Sequence, residues 1–411
     1  MSGLRTSSIG SPDRRLAPRP LPAHLTAAMM LWLSSRAALP CLKNVSSPSS
    51  AVAKRLCALA AEIDACGRDN VTEALDREIA DRAASYLTGL ETYRRHPFRR
   101  RRALPPVLWR EGTTRLLDYG CGTAGPVVLV VPSLINRYYV LDLLPERSFL
   151  RHFTRSGLRP VVVDWGAPGK IERDFDLTDY VAERLDAAFT AALRVAGAPI
   201  AVIGYCMGGL LALALALRRQ DQVGCLALLA TPWDFHAERA TQVQMLARAA
   251  ECLAGVRSPR VNVSVDVIQS LFFLLDPFTA ERKFAHFAAL DPEGEEARVF
   301  VALEDWLNDG VPLAGPVARE CLFDWYGDNT PAKGAWRVGG TAIDPSQVSC
   351  PTLAFIPSQD RIVPPRSAVA LAAAIPGAEM RAIDLGHIGM VAGGSALKRV
   401  YAPLLAWLKQ A

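Results

Sequence analysis

From about residue 115 onward the chain is patterned as short, nearly continuous apolar runs separated by turn signals and helical stretches. The runs are Val127 to Val131, Pro160 to Trp165, Pro199 to Tyr205, Cys225 to Thr231, Thr352 to Pro357 and Met380 to Gly386. Runs without polar alternation suit strands covered on both faces, and most intervals between them are long enough for crossover helices. The pattern predicts an α/β fold built on a doubly wound, mostly parallel sheet. One interval breaks the rhythm: residues 236 to 345 place about 110 residues between successive strands and carry Phe272, Phe273, Phe278, Phe284, Trp306, Trp325 and Trp336. An insertion of that size, with its own aromatic residues, is expected to form a lid over the carboxyl edge of the sheet.

Upstream the periodicity changes. Leu56, Leu59, Ala60 and Ile63 recur at helical spacing within residues 51 to 92. The segment from Ala23 to Leu42 is apolar but broken by Ser34, Ser35 and Arg36, which fits a packed helix or one lying on an apolar surface. The first twenty residues are rich in Ser, Pro and Arg and are expected to be disordered. The expected organisation is a disordered stretch over 1–22, a helical extension over 23–105, a core from 106–235 and 346–411, and the insertion over 236–345. A basic run, Arg94, Arg95 and Arg99 to Arg102, reads as a solvated face or a contact for phosphates.

Composition adds limits. Lys and Arg number 46 against 41 Asp and Glu, a formal charge of +5 over 411 residues, which gives no ground to expect nucleic-acid binding. Nine cysteines, without a CxxC pair, cannot close into a complete set of internal disulfides and suit a reducing, cytoplasmic setting. The N-terminal residues do not show the layout of a secretory signal, and no stretch reaches the roughly 20 apolar residues of a spanning helix. Neither a metal nor a cofactor is expected.

The chemistry concentrates at Gly204-Tyr205-Cys206-Met207-Gly208-Gly209, which follows a strand and opens an Ala/Leu-rich helix. This is the strand-turn-helix setting of a nucleophile elbow, with Cys as the nucleophile. Glycines two residues to either side let the strained turn pass close to the crossing strand and helix, and the helix N-terminus favours a thiolate. An elbow of this kind calls for an acid and then a histidine on loops after later strands. Asp360 follows the strand TLAFIP, and His387 follows the strand MRAIDLG. Of the six histidines only His387 lies in the required place. The expected oxyanion donors are the Met207 N–H and one from the loop Pro132 to Asn136, with Leu134 and Ile135 as candidates. Asn136 and Tyr205 are candidate substrate contacts. A second motif, Leu117 to Gly125, looks like the loop of S-adenosylmethionine methyltransferases, but that loop must open a helix, and here it leads into the β-rich run VVLVVP.

Together, VVLVVPSLINRYYVLDLLPERSFLRHF, GLRPVVVDWGAPG, DLTDY, GYCMGG, LLATPWDF, WYGDN, SQDRIVP and GHIGMV resemble the core of polyhydroxyalkanoate synthases, most closely their two-subunit class, over roughly residues 90 to 408. The resemblance implies attack by Cys206 on an (R)-3-hydroxyacyl-CoA, with His387 as general base and Asp360 serving the His or the incoming hydroxyl. It also implies a small second subunit or homodimer and a polymer granule surface as partners. The chain departs from the family pattern at Arg361, where the synthases carry His, and at Pro365, where they carry Trp. A cysteine esterase or thioesterase of dienelactone-hydrolase type, a polymer depolymerase, and a non-catalytic granule protein are the rival readings.

Overall fold

A computed structural model describes residues 15, 18–42, 51–100, 104–238, 240–251 and 261–411. Eight strands form the main sheet: β1 (Val107–Glu111), β2 (Thr114–Asp118), β3 (Val127–Val131), β4 (Arg159–Asp164), β5 (Ile200–Tyr205), β6 (Val223–Leu229), β7 (Thr352–Pro357) and β8 (Glu379–Ile383). Their order is β1-β2-β4-β3-β5-β6-β7-β8. β1, β2 and β4 pair antiparallel, and every pairing from β4 through β8 is parallel. β3 and β7 are buried at every position, as their unbroken apolar sequences require.

Each of the six expected runs is a strand, with ends that differ by up to three residues. The β1–β2 hairpin is an addition. Its strands, VLWRE and TRLLD, carry charges at the sheet's edge and lack the apolar continuity of the central strands. The motif resembling a methyltransferase loop runs from the end of β2 toward β3, and Asp118 is held by Arg159 at 2.6 Å. That carboxylate is occupied by an ion pair within the fold.

The chain divides into two compact units, residues 1–99 with 272–308, and residues 100–271 with 309–411. The insertion expected as one body over 236–345 is therefore split. The reason is a shared core: Phe284 and Phe287 of helix Thr279–Ala288 are buried with Tyr86, Leu90 and Tyr93 of helix Arg68–Arg95. Helix Leu21–Cys41 joins that core through Ala28. Most of the stretch expected to be disordered, 1–14 and 16–17, lies outside the described residues. Arg15 is described and pairs with Asp305 at 2.7 Å, and helix begins at Leu21.

The basic run does not act as one patch. Arg100 reaches the buried Asp142 and lies over the Tyr139 ring at 4.5 Å. Arg95 pairs with Glu91 on the exposed face of its own helix; Arg101 and Arg102 lie outside the described residues. Among the described residues, no helix is long and apolar enough to cross a membrane.

Candidate active site

At the end of β5 the chain turns sharply. Cys206 has φ 57° and ψ −131°, a conformation that costs a non-glycine residue about 1–3 kcal/mol and persists only where its surroundings fix it. The fixing is visible: the Cys206 N–H donates to the Leu229 carbonyl of β6 at 2.8 Å, and helix Met207–Arg218 starts at the next residue. A side chain on Gly204 would run into the Gly209 backbone, and one on Gly208 would strike the Val131 carbonyl and Pro132. Both glycines are therefore required by close approach, as the elbow pattern implies.

Asp360 and His387 meet behind this turn. His387 Nδ1 lies 2.6 Å from Asp360 Oδ2 although the residues are 27 positions apart, and both side chains are buried. The other carboxylate oxygen, Oδ1, accepts the N–H groups of Ile362 at 2.8 Å and Val363 at 2.9 Å. The acid is thus oriented by its own loop, leaving Oδ2 for the ring. Burial by itself disfavours a charged imidazole. The neighbouring Cys206 sulfur, through its charge and a hydrogen bond, and the Asp360 carboxylate outweigh it and raise the His387 pKa from 6.5 to about 10. Cys206, His387 and Asp360 form one interacting set, a chemistry in which a ring can accept a proton from sulfur while a carboxylate fixes its tautomer.

Residues 126–393 match the alpha/beta hydrolase fold family. The chain belongs to that family. It is 28% identical over 304 residues to the poly(3-hydroxyalkanoate) polymerase subunit PhaC of Allochromatium vinosum, covering 71% of this chain and 83% of that protein. The subunit of the same name from Haloarcula marismortui is 27% identical over 319 residues, covering 74% and 67%. That of Thiocystis violacea is 28% identical over 296 residues, covering 69% and 80%.

In this alpha/beta hydrolase the remaining expected residues divide. Met207 N–H heads the helix after Cys206, where no carbonyl of its own helix can reach it. Leu134 is buried, and its N–H enters no hydrogen bond among the described residues. Ile135 does not fit the donor role, because its N–H already donates to Ser133 Oγ at 3.0 Å. Tyr205 is not placed as a substrate contact either: it is only 4% exposed, and its hydroxyl donates to the His387 carbonyl at 3.1 Å. A tyrosine at the end of a central strand points into the layer beneath the loops, so its hydroxyl finds a backbone partner there. Asn136 occupies a left-handed turn with φ 66°, its amide oxygen close to Gly310.

Several neighbours of the site could not be named from sequence. Cys206 and Ile362 both pack against a small apolar cluster of Ile356, Val363 and Ala368. Asp309, from the returning end of the insertion, accepts Arg137 Nε and the Tyr139 hydroxyl, both at 2.9 Å, and so tethers the loop after β3. Tyr326 stacks obliquely on Phe235 at 4.9 Å; burial, then the nearby Cys206, pushes its hydroxyl pKa up. The motif fragments PWDF and WYGDN do come together, since Asn329 Oδ1 accepts the Phe235 N–H and Asn329 Nδ2 donates to Asp234. Among the described residues, no cluster of three or more His, Cys, Asp or Glu is arranged to hold a metal ion.

Proposed function

We propose that this alpha/beta hydrolase is an acyltransferase that polymerises (R)-3-hydroxyacyl-CoA into polyhydroxyalkanoate through a thioester on Cys206. The observation that carries the reading is a cysteine at the elbow, backed by the His387–Asp360 hydrogen bond, in a chain whose relatives are named poly(3-hydroxyalkanoate) polymerase subunits. The Cys206 sulfur attacks the thioester carbonyl, the bond from acyl carbon to CoA sulfur breaks, and CoA leaves as a thiol after taking the proton held by His387. One thioester replaces another, so the acyl group stays activated. The 3-hydroxyl of a second unit, deprotonated by His387, then attacks the Cys206 thioester; the ester bond forms as the acyl carbon–Cys206 sulfur bond breaks, and His387 returns the proton to the sulfur. Oxyanion charge is taken by Met207 N–H and Leu134 N–H, each worth about 3 kcal/mol in such sites. In this reading Asn136 is a substrate contact.

The reading requires no bound cofactor and no nucleic acid. A small second subunit or a second copy of the chain is the expected partner, in line with the subunit naming of the relatives. We place the enzyme in the cytoplasm at the surface of its polymer, to which helix Leu21–Cys41 offers exposed Met29, Met30 and Leu33.

The test supplies 3-hydroxybutyryl-CoA and follows free thiol together with turbidity. Thiol release with polymer supports the synthase. Release without polymer would make the protein a thioesterase, and no release with either partner present would leave a binding role. Replacing Cys206 by Ala is expected to abolish release.

A further inference from the structure

The loop after β3 is built around a hydrogen bond that the proposed reaction does not itself require. Its first residue is anchored, because Trp165 Nε1 donates to the Pro132 carbonyl at 3.0 Å. That same stretch lies directly against Gly208, one residue beyond the Met207 N–H. Its last residue, Asn136, reverses the chain with φ 66°. Between them Ser133 Oγ accepts the Ile135 N–H at 3.0 Å and closes a three-residue turn with Leu134 at its apex. Ser133 is 9% exposed, so its hydroxyl has little access to bulk water.

We infer that Ser133 is a positioning residue for the oxyanion hole: its hydroxyl oxygen engages Ile135 N–H and thereby aims Leu134 N–H at the carbonyl oxygen of the acyl group on Cys206. The inference rests on the acyl-transfer reading above. An oxyanion donor is effective only if its direction is set before charge develops. Leu134 has no hydrogen bond of its own to set that direction. The turn closed by Ser133 sets it, with Pro132 fixed on one side and the left-handed Asn136 on the other. Without the hydroxyl, Ile135 N–H must find another partner, and rotating the peptide planes to do so carries Leu134 N–H off its line.

The measurement is the rate at which Cys206 is acylated by p-nitrophenyl butyrate, read as the burst of p-nitrophenolate, in wild type, Ser133→Ala and Ser133→Thr. Alkylation of Cys206 by iodoacetamide, which develops no oxyanion, serves as the internal control. Ser133→Ala is expected to slow acylation by about 10- to 100-fold, with the half-saturating ester concentration and the alkylation rate within about twofold of wild type. Ser133→Thr, which keeps the acceptor oxygen, is expected to restore acylation to within about threefold of wild type. Acylation by Ser133→Ala within about twofold of wild type would overturn the inference. So would a threonine variant as slow as the alanine one, or alkylation that falls in step with acylation. If the wild type is acylated by the ester yet releases no CoA from 3-hydroxybutyryl-CoA, the polymerase reading fails while the role of Ser133 is still decided by the ester.

Discussion

The hydroxyl of Tyr205 donates to the backbone carbonyl of His387 across 182 positions of chain, and the two rings lie 5.2 Å apart at an angle of 33°. The residue before Cys206 therefore holds the loop that carries His387. Replacing Tyr205 by Phe keeps the ring contact and removes the donor, leaving a buried carbonyl unpaired. The expected result is a loss of about 1–2 kcal/mol in unfolding free energy and a fall in kcat of about 5- to 10-fold, with KM little changed. Denaturant unfolding and steady-state CoA release check it. An unchanged kcat would show that the His387 loop is fixed without this bond.

The charged state of His387 links the site to pH. The unfolded ring has a pKa near 6.5 and the folded one is raised to about 10, so the folded state binds the proton more tightly. Its contribution to stability is fully present below about pH 6.5 and is lost as pH rises through about 10. Replacing Asp360 by Asn removes one source of the shift. The stability gap between wild type and the Asn variant should therefore be widest near pH 6 and shrink toward pH 10, as measured by urea unfolding at several pH values. A gap that widens with pH would reverse the assigned sign.

The central sheet was legible because β3, β4, β5, β6 and β7 are covered on both faces and can be read from unbroken apolar runs. The β1–β2 hairpin was not, since its short strands, VLWRE at the sheet's edge and TRLLD beside it, are interrupted by charged residues and do not read as apolar runs. That Asp360 and His387 meet beside Cys206 was legible because an elbow pattern sets the chain order of its partners. Ser133, Asp309 and Tyr205 act through bonds to backbone or to residues far away in sequence, such as the 172 positions between Arg137 and Asp309, and no local pattern records these. The split of the insertion has the same cause: the aromatic residues around Phe284 are evident in sequence, but their burial against Tyr86 and Tyr93 depends on tertiary packing.

Gly208 offers a steric test of the elbow. A methyl group there would overlap the Val131 carbonyl and Pro132, which are backbone atoms near the center of the sheet and cannot move aside cheaply. Gly208→Ala is expected to cost more than about 2 kcal/mol of stability and to abolish acylation of Cys206. Thermal unfolding with the p-nitrophenyl butyrate burst reads both. Normal folding and activity in this variant would mean that the helix does not approach β3 as closely as described.

His24 supplies a pH dependence of opposite sign in the helical unit. Its half-buried ring meets the edge of Phe273 at 4.9 Å, Nε2 lies 3.3 Å from the Arg19 carbonyl, and buried Nδ1 has no partner among the described residues. Burial lowers the pKa from 6.5 to about 4; the bond to Arg19 opposes this and the nearby positive Lys283 adds to it. The neutral ring is the folded form, so the unfolded chain takes up the proton first as pH falls. Stability of this unit should be full above about pH 6.5 and decline toward pH 4, by about 1–2 kcal/mol once solvent screening is allowed for. His24→Phe keeps an aromatic ring without a titrating group and should flatten the decline. Hydrogen exchange along helix Leu21–Cys41, compared at pH 7 and pH 4.5 after correction for the intrinsic rate, measures it. Equal declines in wild type and variant would place the acid sensitivity at another group.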